Sequence, residues 1–176
     1  MRLLTVLFFC AILVCSVFAQ TGSIDSIYTD ISAEKCKTLD FTNELATSTQ
    51  VCSGIAGYKL LVYDSDARMS ITVVSPDSKE HPLELWTVVS SGFSSLGNKA
   101  EWRYLNHNGK QSPIALIVRY NANENPDRPE KSTSYLAVIK ITSQKICVTD
   151  KIKPSSKANE EARLAADSSA NKPCLQ

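Results

Sequence analysis

Short runs of apolar residues, several alternating with polar ones, mark the middle of this chain and predict strands. Tyr58 to Asp64 (YKLLVYD) and Met69 to Ser75 (MSITVVS) are two of them. In the second, Met69, Ile71 and Val73 alternate with Ser70, Thr72 and Val74, which predicts one buried face. Pro76-Asp77-Ser78-Lys79 is a turn signal. Leu83 to Ser90 (LELWTVVS) is a further apolar stretch rich in β-forming residues. Ala100 to Asn106 and Ser112 to Tyr120 flank His107-Asn108-Gly109, and Asn-Gly between apolar segments predicts a hairpin. Ile114 to Val118 has almost no polar alternation, so this strand is expected at the centre of a sheet with both faces covered. Thr133 to Ile141 and the shorter Ile146 to Thr149 complete the set.

Polar stretches divide these runs. Asn121 to Ser132 (NANENPDRPEKS) carries two prolines and no aliphatic side chain larger than Ala122, which predicts a solvated hairpin loop. Residues 20–27 are small and polar and read as a flexible lead-in. Only the C-terminal region reads as helix. Ser155 and Ser156 can cap it, Glu160 and Glu161 suit its first turn, and Ala158, Ala162, Ala165 and Ala166 share one side that can sit close to a sheet. Pro173 stops it before Cys174. The fold class expected is α+β and predominantly β: an antiparallel curved sheet or small barrel of six to eight strands, with one C-terminal helix.

The first nineteen residues change the picture of where this fold resides. Arg2 precedes an apolar run from Leu3 to Val14, and Val17-Phe18-Ala19 has the pattern of a signal-peptidase site before Gln20. Val14 is too large to precede a lipidated Cys15, so soluble export is expected. Residues 28–176 then form a single domain, and the mature chain of 157 residues can bury a real core. Arg2 is the leader's only charged residue, so the mature chain balances 18 basic against 18 acidic residues. That balance argues against a nucleic-acid partner. No second apolar run approaches the roughly 20 residues that span a bilayer, so no membrane association is expected after cleavage.

Four cysteines remain: Cys36, Cys52, Cys147 and Cys174. Export makes them disulfide candidates, and no close pair of the kind metal sites use is present. They allow three pairings, of which Cys36–Cys52 and Cys147–Cys174 join partners near in sequence. Each would contribute about 3 kcal/mol by closing its loop.

Catalytic chemistry is hard to find. His81 lies beside Pro82 and His107 in the Asn-Gly turn, both polar surroundings that suit solvated side chains. Asp64, Asp66 and Arg68 cluster at a turn, without the further oxygen ligands and glycine that calcium would need. No Gly-x-Ser-x-Gly nucleophile elbow is present. Trp86 and Trp102 are expected on strands as packing residues, with Glu101 and Arg103 on the opposite face from Trp102 as surface charge. No catalytic residue, metal or cofactor is assigned. Ser90 to Lys99 is the candidate binding loop: Ser91, Gly92, Phe93, Ser94, Ser95 and Leu96 place two apolar side chains among small polar ones.

As an ordered set, Tyr28-Thr29-Asp30, Cys36, Cys52-Ser53-Gly54, Gly57-Tyr58, Phe93 to Gly97, Glu101-Trp102-Arg103, Pro113 to Arg119, Cys147 and the block from Asn159 to Cys174 resembles a family of small exported bacterial proteins of unassigned function. The resemblance spans nearly the whole mature chain. It implies a bacterial source and a periplasmic or extracellular home, and it carries no activity. Ser91-Gly92-Phe93 is also similar to the Ser-Gly loop that some periplasmic lysozyme inhibitors present, although Ser95 stands where those loops carry tyrosine. The expectation is a non-enzymatic domain that binds a protein or glycan partner through this loop. The alternatives are an envelope hydrolase and a passive structural envelope protein.

Overall fold

The computed structural model describes residues 23–107, 109–125, 127–128 and 130–176. The leader over residues 1–19 lies outside them, as do residues 20–22 of the lead-in. Two antiparallel five-stranded sheets face each other. The first orders β1 (Ser23–Asp30), β7 (Phe93–His107), β8 (Lys110–Asn123), β9 (Thr133–Ile141) and β10 (Ile146–Ile152). The second orders β2 (Lys37–Thr42), β3 (Thr47–Ser53), β4 (Lys59–Ser65), β5 (Arg68–Val74) and β6 (Glu80–Pro82). The β-rich, antiparallel expectation holds. The described residues form ten strands rather than six to eight, and they make a two-sheet sandwich, not a closed barrel.

The core lies between the sheets. Leu60, Val62, Ile71 and Val73 from one meet Trp102, Leu116, Val118, Tyr120 and Ile139 from the other. The side chains of β8 explain its unbroken apolar run. Leu116 and Val118 point into this core, while Ala115 and Ile117 point outward against α2 (Ala158–Asp167). Ala158, Ala162 and Ala166 let the helix lie on Ala115, Ile117, Leu136 and Val138, as their spacing predicts. The molecule is therefore three layers deep: sheet, sheet, helix.

Both disulfides pair as sequence proximity favours. Cys36–Cys52 joins the segment before β2 to β3, and Cys147–Cys174 ties the chain after α2 to β10. Such crosslinks fit an oxidising compartment. Among the described residues no helix is long and apolar enough to cross a membrane.

Several local expectations change. Residues 23–27 of the expected lead-in form the start of β1, paired with β7 from Ser23↔Asn106 to Asp30↔Lys99. Asn121 to Asn123 belong to β8 rather than to the loop, and Ala122 is fully buried. The hairpin at Asn-Gly closes with His107 opposite Lys110, Asn108 itself lying outside the described residues. Trp86 sits not on a strand but in α1 (Leu85–Val88), a single helical turn. The Ser70 hydroxyl accepts the Leu85 N–H at 3.1 Å, so α1 covers the face of β5 that carries Ser70 and Thr72. That cover is why β5 is buried on both faces instead of one. The main helix stops at Asp167, ahead of Pro173, and a short 3-10 turn follows over Ser169–Asn171.

The largest correction concerns Glu101 and Arg103. They are not exposed decoration: Glu101 is 8% exposed and Arg103 9%. Arg103 donates two bonds of 2.7 Å to the Asp167 carboxylate at the end of α2. Arg163 Nε donates to Glu101 at 2.6 Å. Ser26 joins the pairs, donating to Glu101 at 2.5 Å and accepting from Arg103 at 2.6 Å. This network holds α2 to the sheet where its alanines offer little apolar area.

Burial pushes the Glu101 carboxyl up, but bonds from Arg163, Ser26 and Tyr28 outweigh it, and its pKa lies below the ordinary 4.5. A lowered carboxylate pKa stabilises the fold fully above the ordinary value and loses that contribution as pH falls through the folded value. Thermal melts from pH 7 to pH 3 should therefore show a steeper acid loss for the native protein than for Glu101→Gln. Parallel curves would assign no stabilising role to this carboxylate.

Candidate functional site

The candidate loop is in fact half strand. Phe93 to Leu96 are the first residues of β7, paired from Phe93↔Asn123 to Leu96↔Tyr120. Ser94 fastens this segment to the other sheet: its N–H donates to the Ala67 carbonyl at 2.7 Å, and its hydroxyl accepts the Met69 N–H at 3.1 Å. Leu96 turns inward and packs against the core. Phe93 turns outward and stays 52% exposed.

Around Phe93 the surface is concave. A recess of about 520 Å³ is lined by Arg68, Ser90, Ser91, Gly92, Phe93, Asn123 and Glu124. Gly92 lies against β8 so closely that an added Cβ would meet the Asn123 carbonyl oxygen at 2.1 Å. Only glycine fits there, and Ser91-Gly92 forms a wall of the recess. The Arg68 guanidinium sits 4.6 Å from the Phe93 ring centroid, a cation–π distance. Asp66 holds Arg68 from one side at 2.9 Å, and the Ser91 carbonyl accepts its Nε–H at 3.4 Å. Beneath, Tyr120 donates to the Ser90 carbonyl at 3.0 Å and Lys151 to the Val89 carbonyl at 2.5 Å. These bonds give the approach to Gly92 a fixed path.

Glu124 supplies the recess with negative charge. The Tyr135 hydroxyl donates to its carboxylate at 2.9 Å. Burial pushes this carboxyl up, but hydrogen bonds led by that of Tyr135 prevail and hold it below the ordinary glutamate range. The recess thus places a cation and an anion beside an exposed ring. A second recess of about 220 Å³ adjoins it, lined by Ala67, Phe93, Ser94, Ser95, Asn121, Asn123 and Ser132.

Of the six residues singled out from sequence, Ser91, Gly92, Phe93, Ser94 and Ser95 line these two recesses and Leu96 does not. Arg68, Asn121, Asn123 and Glu124 escaped the sequence reading. Arg68 reads as part of a self-solvating turn, and the other three as loop. Their shared placement follows from the β7–β8 pairing, which local sequence does not display.

The residues weighed for catalysis stay apart. Among the described residues, no hydrogen bond or ion pair joins any two of His81, His107, Asp64, Asp66 and Glu101. His81 Nε2 does approach the Ser75 hydroxyl at 3.3 Å. That hydroxyl, however, donates to Asp77, so the acid engages the serine directly instead of orienting the imidazole. This is a turn held by its own side chains, not an activated nucleophile. Among the described residues no group of three His, Cys, Asp or Glu side chains is placed to hold a metal ion.

The chain matches no family model, no curated protein and no solved structure. Any functional reading rests on the geometry above.

Proposed function

We propose that this protein is an exported, non-enzymatic binding domain of the bacterial envelope or its surroundings, and that it takes a protein or glycan partner at the recesses beside Phe93. One observation carries the reading: a half-exposed aromatic ring, fixed by Arg68 on a rigid strand, stands between two concavities. Holding a large apolar side chain in water costs about 1.5–3 kcal/mol relative to burying it. A partner that covers the exposed half of the ring recovers the corresponding share of that free energy. The scattering of the titratable side chains supports binding over catalysis.

A lysozyme inhibitor is the narrow case that Ser91-Gly92-Phe93 brings up. Ser91 and Gly92 here wall a recess against β8, which favours receiving a ligand over plugging a cleft. Titration against several lysozyme classes decides it, since absence of inhibition at micromolar protein removes that case and leaves the recess reading intact.

The general proposal is tested by affinity capture from envelope extract, with the mature protein and its Phe93→Ala variant as baits. Phe93 is exposed, so the variant should fold normally and lose about tenfold or more of the captured ligand, as expected for an aromatic at the centre of a contact. Equal capture by both baits would refute the assignment of Phe93.

A further inference from the structure

The Phe93 recesses do not end at Phe93. Outward-facing residues of β8 alternate as Ile117, Arg119, Asn121 and Asn123, and a third recess, of about 170 Å³, opens at the Ile117–Arg119 end. Tyr28, Lys99, Glu101, Leu136, Asn159, Ala162 and Arg163 complete its lining. Each of the three concavities therefore takes lining residues from one face of β8, the third sharing none with the other two. Arg119 and Asn123 are four residues apart, about 13 Å at roughly 3.3 Å per residue.

The two ends differ in charge. Lys99, Arg119 and Arg163 line the α2 end with Glu101 as the acid among them, and Asp30 faces Lys99 across the β1–β7 pair. The Glu101 carboxylate is already bonded to Ser26 and Arg163. Among the described residues Arg119 has neutral partners alone: the Ser134 hydroxyl at 2.9 Å and the Asn159 side-chain oxygen at 3.5 Å. Its stem crosses Gly97, where an added Cβ would come within 2.8 Å of the Arg119 Cβ. The bulge of β7 at this point thus makes room for a guanidinium that no carboxylate among the described residues pairs with.

Between the ends the lining is hydroxyl and amide: Ser94, Ser95, Asn121, Asn123 and Ser132, with Ala67. No peptide can pair with β8 itself as an added strand, because β7 and β9 flank it. Recognition must go through side chains, and those present match sugar hydroxyls.

From this we infer that the groove along β8 binds an extended acidic glycan, with a sugar carboxylate at Lys99 and Arg119 and a sugar ring against Phe93. The inference rests on the binding reading above and names its ligand class.

The test is a titration by amide NMR with tetragalacturonate, neutral cellotetraose and tetraglutamate as probes. The acidic sugar should bind about tenfold more tightly than the neutral one, the gain expected of a charge-assisted contact worth one factor of ten. Its shifts should map to Lys99, Arg119, Asn121, Asn123 and Phe93. Lys99→Gln and Arg119→Gln should each narrow that preference, while Phe93→Ala should weaken both sugars by a common factor. Lys99 is exposed, so its variant carries the test even if Arg119→Gln disturbs the fold. Equal affinity for the two sugars, tighter binding of tetraglutamate, or shifts scattered away from β8 would overturn the inference. So would absence of binding by either sugar. In that case Phe93-dependent capture from extract would still leave the binding reading standing.

Discussion

Trp102→Ala is expected to destabilise the protein by about 3–5 kcal/mol, the range for deleting a large aromatic from a core. Trp102 has no exposed surface. Its ring centroid lies 5.9 Å from that of Tyr58, which precedes β4 in the facing sheet. Its indole N–H donates to the Thr29 hydroxyl at 2.9 Å, which satisfies the one polar atom this burial would otherwise strand. Truncation opens a cavity between the sheets and leaves that hydroxyl short of a donor. A domain of this size has about 5–15 kcal/mol in all, so the variant should lie near the edge of folding at 37 °C. Guanidinium denaturation of the two proteins measures the difference at unchanged slope. A loss below about 1.5 kcal/mol would mean that Trp102 does not join the sheets. Phe93→Ala provides the contrast on the same strand: little change in stability and a large change in ligand capture. β7 thus separates its two tasks by position, with the core towards its middle and the exposed ring at its start.

The contrast bears on what sequence can reveal. β8 is legible because its apolar run reports burial on both faces directly. β9 is legible for the same reason, and α2 because its alanines fall on one side. β2 and β3 are almost silent, since β2 is an exposed edge strand and β3 its polar neighbour. The start of β7 and the end of β8 are each polar enough to read as loop, and only their pairing makes them a groove. Glu101 and Arg103 read as surface charge because α2, which buries them, lies about sixty residues away in the chain. α1 contains β-forming residues, yet it turns because Ser70 and the chain leaving β6 dictate its first amide. The chemistry of the candidate site was visible in Ser91 to Ser95. Its charges were not, because Arg68 and Glu124 reach Phe93 from separate hairpins.

Replacing Cys147 and Cys174 together with serine is expected to cost about 3–4 kcal/mol, from the loop-closure entropy of a 27-residue separation. The loss should concentrate at α2. A ten-residue helix is marginal by itself in water, and three buried alanines contribute little apolar area. What remains to hold it is polar: Arg103 to Asp167, Arg163 to Glu101, and Lys172 to Asp150 at 2.8 Å, with the Leu175 N–H donating to the Val148 carbonyl. The pairs are partly buried, so their attraction is offset by the cost of taking the charges out of water, and the crosslink keeps them within reach of one another. Hydrogen exchange should therefore show α2 and β10 losing protection by more than β4 and β5 in the uncrosslinked variant. Uniform loss across both sheets would instead mean that the crosslink has no special role in docking α2. Because Asn159, Ala162 and Arg163 form one wall of the cationic recess, loosening α2 should also reduce the preference for an acidic ligand. Contacts at Phe93 should persist, since nothing lining that recess belongs to the helix.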